Sequence, residues 1–354
     1  MMSTLTKSYS PLSFLNDVVF DRNAANFWLQ KINPLWSVHQ PLGRIVRKEK
    51  AAQDMVSLTL QCNRHVQMGQ AGQHHPVFVK INGRRYERSY SVHQLDAQHV
   101  VLTVKQVDGG KVSQWLTEQS RPGDLIELGQ PYGDMQLPEQ PQPLVLLAAG
   151  SGITPMLSLI EAWAKQTQAC IPAIQLLYWV RQPEEAAFQR RFAQLAQNHP
   201  AFSFQIFCTG QNDQRLNAEH LAQIGPVEQS AVYACGPSGF VTTAADLFAQ
   251  AAVFKSEAFS LSPSLSADVG LVNITLLQSQ KTVAIPKGQS ILLGLEQMNL
   301  KPQHGCRMGI CNKCVCHKVQ GATRHLVNGA ENTEPGNALK ICVNAAQTDL
   351  VIDL

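Results

Sequence analysis

Apolar and polar positions change texture several times along the chain, and the changes predict separate folding units. From about residue 39 to 140, short apolar or alternating runs recur at 56–60, 77–81, 100–104 and 125–128, bounded by Gly, Asp and Asn. That pattern predicts strand after strand, an all-β barrel. Gln140-Pro141-Gln142-Pro143 reads as a linker, after which strands and helices alternate. Strands are expected at 144–149, 174–180, 202–207 and 231–234, and helices at 155–165, 186–197 and 242–252. Such alternation predicts a parallel α/β domain over 141–259. A Ser- and Pro-rich break at 260–267 leads into a third unit, 268–354. There, 272–277 and 282–285 read as a hairpin pair, followed by an amphipathic helix at 290–299. Residues 1–38 stand apart as an extension with scattered aromatics (Phe14, Phe20, Phe27, Trp28, Trp36) and a helical stretch at 24–31. The aromatics are too irregularly spaced to predict an interfacial helix.

A length of 354 residues suits two or three domains. A formal charge of +3, with 16% charged residues, gives no electrostatic case for nucleic acid. No apolar run reaches membrane-spanning length, and the first residues lack a basic segment followed by an apolar one. The expectation is a soluble cytoplasmic protein, in a reducing compartment where thiols stay free.

Candidate chemistry concentrates in the third unit, at His304-Gly305-Cys306-Arg307-Met308-Gly309-Ile310-Cys311-Asn312-Lys313-Cys314, with Cys342 beyond. C-x4-C-x2-C…C is the spacing of a plant-type [2Fe–2S] ferredoxin, and makes Cys306, Cys311, Cys314 and Cys342 the expected iron ligands. Gly305 and Gly309 suit a tight loop whose N–H groups turn toward sulfur. A zinc site is the alternative, but it usually shows well-separated C-x2-C pairs, which this chain lacks. Cys316 fits no ligand position and is expected to pack on the strand leaving the loop. The eleven histidines show no metal-ligand pattern. His74 and His75 are expected at surfaces or loops, while His304 adjoins the cysteine loop and could tune it.

Two elements of the first unit resemble the flavin motifs of the ferredoxin–NADP reductase superfamily. Arg88-Ser89-Tyr90-Ser91 matches R-x-Y-S, and Gly110-Lys111-Val112-Ser113-Gln114-Trp115-Leu116 matches G-x-V-S-x-x-L. The resemblance implies that Arg88 neutralises a pyrophosphate, Tyr90 offers a flat face to the flavin, and Ser89 and Ser91 line it. Ser91 would reach the ring nitrogen that accepts hydride. Gly110, Val112 and Ser113 would open a helix toward the phosphates. FAD is implied ahead of FMN by the second motif, although the phthalate-dioxygenase-reductase branch uses FMN.

The second unit carries Gly150-Ser151-Gly152-Ile153-Thr154-Pro155 after a strand, similar to the superfamily's G-x-G-I-T-P. Gly150 and Gly152 would let a pyrophosphate approach the backbone. Cys235-Gly236-Pro237 matches C-G-P, which implies that Cys235 sits by the nicotinamide and that Thr154 helps seat it. Glu257-Ala258-Phe259 resembles an E-x-F ending with Phe259 near the flavin. Arg181, Arg190, Arg191 and Arg215 lean the nucleotide toward NADPH over NADH.

Together the resemblance implies an oxidoreductase passing electrons from NAD(P)H through FAD to the cluster, and on to a redox partner protein. No acid–base dyad is evident in the sequence. Ile32-Asn33-Pro34-Leu35-Trp36-Ser37 followed by Leu42-Gly43-Arg44-Ile45-Val46 resembles the entry segment of reductases paired with bacterial acyl-CoA Δ9 desaturases. That makes a non-haem di-iron desaturase the expected acceptor, with aromatic-ring, alkane or steroid oxygenases as the alternative. A redox sensor or carrier without reductase activity is disfavoured by the intact nucleotide motifs. From Leu261 on there are eight Lys/Arg against six Asp/Glu, so acidic docking is not expected, and Lys313 is a candidate contact for the acceptor.

Overall fold

A computed structural model describes residues 22–166, 172–212, 214–260, 270–327 and 329–354. Phe14, Phe20 and residues 261–267 of the expected Ser/Pro-rich break lie outside them. Helix α1 (Arg22–Ile32) precedes a barrel of β1 (Leu42–Ala52), β2 (Met55–Cys62), β3 (His74–Ile81), β4 (Arg84–Gln94), β5 (His99–Lys105) and β6 (Leu125–Leu128). These six strands close in the order β1-β2-β5-β4-β3-β6, which removes free sheet edges. Alternation turns Ile45, Leu58, Leu60, Val77, Val79, Leu102 and Ile126 into the barrel core.

β4 was hidden from the apolar pattern because its inward residues are Tyr86, Tyr90 and Val92 among charged and hydroxyl side chains. Its other face carries Glu87, Ser89 and Ser91, two residues apart, beside Phe78, Pro76 and His74 of β3 in antiparallel register. α1 is fastened to the barrel by polar contacts. Asn26 Oδ1 accepts from Ser37 Oγ (3.2 Å) and the Val38 N–H (2.8 Å), and Asn63 Nδ2 donates to the Leu35 carbonyl (3.1 Å). Between β5 and β6, α2 (Lys111–Gln114) is a single turn continued by a π-turn, Trp115–Gln119.

The second unit alternates β7 (Leu144–Ala149), α3 (Ile153–Ala164), β8 (Ile174–Val180), α4 (Gln189–Asn198), β9 (Phe202–Cys208), α5 (Thr209–Asn212), β10 (Ala231–Pro237), α6 (Ser238–Leu247) and β11 (Val253–Ser260). The sheet is parallel throughout, in the order β11-β10-β7-β8-β9. Its three central strands, β10, β7 and β8, read as continuous apolar runs because both faces are covered. Leu144, Leu146 and Ala148 face one core, and Val145 and Leu147 the other. α6 begins four residues before the sequence expectation, since Pro237 ends the strand and caps the helix. Phe188 at φ 63° delays α4 to Gln189.

The third unit holds β12 (Leu271–Leu276), β13 (Lys281–Pro286), α7 (Ile291–Gln297), β14 (Val315–Gln320), β15 (Thr323–His325), β16 (Glu331–Asn332), β17 (Asn337–Lys340), β18 (Asn344–Ala346) and β19 (Leu350–Asp353). The main sheet runs β13-β12-β19-β14-β17, with β16-β15-β18 as a small second sheet. Ser290 Oγ caps α7 by accepting from the Leu293 N–H (3.2 Å), and Ile291, Leu292 and Leu295 enter the core with Ile274, Ile285 and Cys316. This unit touches both others. Lys313 Nζ meets Glu87 Oε1 at 2.6 Å, and Thr242 Oγ1 donates to the Val327 carbonyl at 2.8 Å.

One glycine decides how β7 and β10 end. A Cβ on Gly152 would lie 2.0 Å from the Cys235 carbonyl oxygen, so the turn after β7 and the end of β10 meet backbone to backbone. Gly152→Ala is expected to destabilise the protein by about 3 kcal/mol through overpacking. Denaturant unfolding measures it, and a shift near zero would mean that the two strand ends part freely.

Candidate functional site

The four expected ligand cysteines come together between α7 and β14, with Cys342 arriving from the turn after β17. Cys314 Sγ lies 3.1 Å from Cys342 Sγ, and the Cys306 N–H donates to Cys311 Sγ at 3.2 Å. The N–H groups of Met308 and Cys311 each donate to Cys306 Sγ at 3.3 Å. Hydrogen bonding within each pair lowers Cys311 and Cys314 and raises Cys306 and Cys342. Backbone N–H groups aimed at sulfur suit thiolates, and two thiol pairs suit two irons.

The loop is strained and held. Arg307 (φ 61°) and Asn312 (φ 58°) occupy the left-handed region with Gly309. Arg307 is clamped by Glu296 through two bonds, at 2.8 and 2.5 Å, and takes His304 Nε2 at 2.9 Å. Lys340 Nζ donates to the Gly309 carbonyl at 2.6 Å. Lys313, expected to face the acceptor, pairs with Glu87 at 2.6 Å and lies over Phe78, 5.4 Å from the ring centroid.

Along the outer face of β4 the contacts continue. Tyr132 OH donates to Ser89 Oγ, and the Tyr132 ring stacks on His74 with centroids 6.1 Å apart. Ser91 Oγ sits 3.2 Å from His74 Nε2, and the same nitrogen is 3.1 Å from Glu257 Oε2 at the end of the parallel sheet. Phe259 meets His74 edge-on at 5.7 Å. Here the sequence expectation is corrected: His74 and His75 are buried in β3, not placed on surfaces or loops. An alternating strand end buries whatever occupies the inward and interdomain positions, and here both are histidine.

The sequence showed no acid–base dyad, yet His74 and Glu257 form one. Burial lowers His74 to about 4, with His75 adding to it, and burial pushes Glu257 up to about 8, with Asp134 adding to it. Between those values the contact joins a neutral imidazole to a protonated carboxyl, and is not an ion pair. Cys235, level with Glu257 on the neighbouring strand, is fully buried, and its thiol is pushed up first by burial and then by Glu257. A pair 183 positions apart in the chain leaves no spacing signal. Only a resemblance of the E-x-F ending hinted at one partner.

Tyr132 links the two centres. Burial raises its phenol against the opposing hydrogen bond to Ser89, Cys306, Cys311 and Glu257 add to the rise, and the ring stacks on His74. Arg88 is half-buried, with its Nη1 donating to the Glu87 carbonyl at 2.7 Å. Burial lowers its pKa, and Arg307 of the cysteine loop adds to the effect. Tyr90 packs on the barrel core. Ser113 Oγ closes its own turn, donating to the Gly110 carbonyl at 2.9 Å and accepting from the Val107 N–H at 3.2 Å, beside buried Val112.

A cleft of about 970 Å³ opens between barrel and parallel sheet, large enough for a dinucleotide. It is lined by Lys105, Val107, Gly150, Ser151, Trp179, Arg181, Arg215, Pro237 and Phe259. Gly150 turns at φ 54°, and Thr154 Oγ1 closes the turn on the Ser151 carbonyl at 3.1 Å. Buried Trp179 Nε1 finds no partner among the described residues, which leaves a donor for a ligand. Gly236 abuts Ala149, where a Cβ would fall 2.8 Å from its side chain. Of the four candidate arginines, Arg181 and Arg215 reach the cleft, while Arg191 is held by Glu161 at 2.5 Å.

Comparison with known proteins agrees with this geometry. An oxidoreductase FAD-binding domain matches residues 43–137, an oxidoreductase NAD-binding domain 146–246, and a 2Fe-2S iron-sulfur cluster binding domain 274–346. An NADPH oxidoreductase of Mycobacterium tuberculosis is 31% identical over 338 residues, covering 92% of this chain and 88% of that protein. Phthalate dioxygenase reductase of Burkholderia cepacia is 26% identical over 330 residues, covering 88% and 96%. A solved phthalate dioxygenase reductase, described as a modular structure for electron transfer from pyridine nucleotides to [2Fe-2S], superimposes with a TM-score of 0.62 at 25% identity, covering 88% of this chain and 97% of that one. The chain therefore belongs to the ferredoxin-reductase-type oxidoreductases, which join FAD-binding, NAD-binding and C-terminal 2Fe-2S domains in one polypeptide.

Proposed function

We propose that the protein draws electrons from NADPH and delivers them, through FAD and the [2Fe–2S] cluster, to a membrane acyl-CoA or fatty-acid desaturase with a non-haem di-iron centre. The observation that carries the acceptor is the segment 32–37. It is an ordered turn fastened to the barrel through Asn63 and His65, yet it leaves Trp36 50% exposed, more than packing the extension requires. NADPH is favoured by Arg181 and Arg215 in the cleft and by the name of the M. tuberculosis relative. A second reading, reductase of a ring-hydroxylating or related oxygenase, is favoured by relatives named phthalate dioxygenase reductase and glycine betaine monooxygenase reductase subunit.

In this reading bound FAD supplies the exchange between a two-electron hydride donor and a one-electron cluster. Arg88 holds the pyrophosphate, and Tyr90 and Ser91 hold the flavin. Thr154, Cys235, Gly236 and Pro237 shape the seat of the nicotinamide, and Phe259 closes it against water. Ser91 Oγ and Glu257 Oε2 both meet His74 Nε2, so a proton taken up by Ser91 from the flavin side would let Ser91 give its own to His74, which would hand it to ionised Glu257. Cys306, Cys311, Cys314 and Cys342 hold the iron, and Tyr132 fills the gap between the two centres.

Because Glu257 titrates near pH 8, wild-type reduction of cytochrome c by NADPH should rise as pH passes that value. Glu257→Gln should lose the rise and run about 100-fold slower at high pH. An unchanged inflection in the variant would remove Glu257 from the path. Reversal of Lys313 to Glu should slow cytochrome c reduction several-fold, by about the worth of one exposed ion pair plus its repulsion, with ferricyanide reduction intact. Exchanging the charges with Glu87→Lys should restore it, and failure to restore would place Lys313 at the acceptor after all. For the acceptor, the fatty-acid profile of a strain lacking the protein should show a selective fall in monounsaturated chains, restored by wild type and not by Cys311→Ser. An unchanged profile would favour the oxygenase reading.

A further inference from the structure

Helix α1 is built inside out. Its buried anchor is polar: Asn26 is 4% exposed and bonded to Ser37 and Val38. The opposite side presents Phe27 at 55%, Trp28 at 68% and Ile32 at 73% exposure. At about 100° per residue, Phe27, Trp28, Lys31 and Ile32 fall within an arc of about 140° on one face. Phe27 and Trp28 pack edge to face at 5.4 Å, Lys31 Nζ lies 5.3 Å from the Phe27 ring, and Trp36, in the turn after the helix, is also exposed. A helix facing water normally turns its polar side outward. Spacing in the sequence predicted no such face; Phe27, Trp28 and Ile32 share an outward side once the helix is anchored through Asn26.

Charge narrows the choice of occupant. Helix α1 carries Arg22 and Lys31 and no Asp/Glu, and Lys31 lies within the aromatic face itself. We propose that this face docks on an anionic lipid surface, with Trp and Phe seated at the headgroup level and Lys31 toward lipid phosphates. The contact is peripheral: among the described residues no helix is long and apolar enough to cross a membrane. It deepens the proposed delivery to a membrane desaturase and rests on that reading for its purpose, although lipid binding is tested independently of it.

The test is sedimentation of the full-length holoprotein with vesicles of phosphatidylcholine alone, or mixed with phosphatidylglycerol. Wild type should sediment with the anionic vesicles and be released by salt. Trp28→Ser combined with Ile32→Ser should lower the bound fraction about tenfold or more, with NADPH–ferricyanide reduction unchanged as proof of folding. Wild type left in the supernatant overturns the proposal, as does a variant that binds like wild type. Equal binding to both vesicle types overturns the anionic assignment. A wild-type dimer that the variant makes monomeric, without vesicle binding, would give the face to a second copy. Vesicle binding alongside an unchanged fatty-acid profile would sink the desaturase reading and leave this one standing.

Discussion

One face of one strand holds the three units in working register. Glu87, Ser89 and Ser91 project from the same side of β4 because side chains alternate, and at about 3.3 Å per residue they span roughly 13 Å. Glu87 takes Lys313 beside the cysteine loop, Ser89 takes Tyr132, and Ser91 meets His74 against Glu257. A shift of one residue in β4 would turn all three inward and leave three units with no common corner.

The same corner sets the chemistry. Water is excluded from His74 and Glu257, so both favour their neutral forms, and near neutral pH their contact joins an imidazole to a protonated carboxyl. Close backbone approach at Gly152 brings Cys235 level with this pair, and Tyr132 brings the cysteine loop to the other side. The ion pair of Lys313 with Glu87 is exposed enough to contribute only a fraction of a kilocalorie, about 0.5 kcal/mol. It orients the third unit more than it binds it, which suits a domain that must also meet an acceptor.

The inverted helix α1 belongs to the same logic. Its polar anchor is satisfied by Ser37 and Val38 just before the barrel, so its aromatic side is left outward.

Much of this was legible in the chain. The C-x4-C-x2-C spacing, the glycine turn after β7, and the order of barrel, parallel sheet and ferredoxin-like unit follow from local constraints: loop reach, positive φ and hydrophobic period. Residues close in sequence carry such signals. His74 and Glu257 do not, since each looks ordinary in its own segment and their pairing exists only where two units meet. Lys313 read as a free surface charge, because nothing in its neighbourhood names Glu87 as its partner. Local periodicity determined the elements and the metal-binding loop. Only tertiary packing, which decides burial and the neighbours of each charge, determined that His74 meets Glu257, that Lys313 meets Glu87, and which side of α1 faces outward.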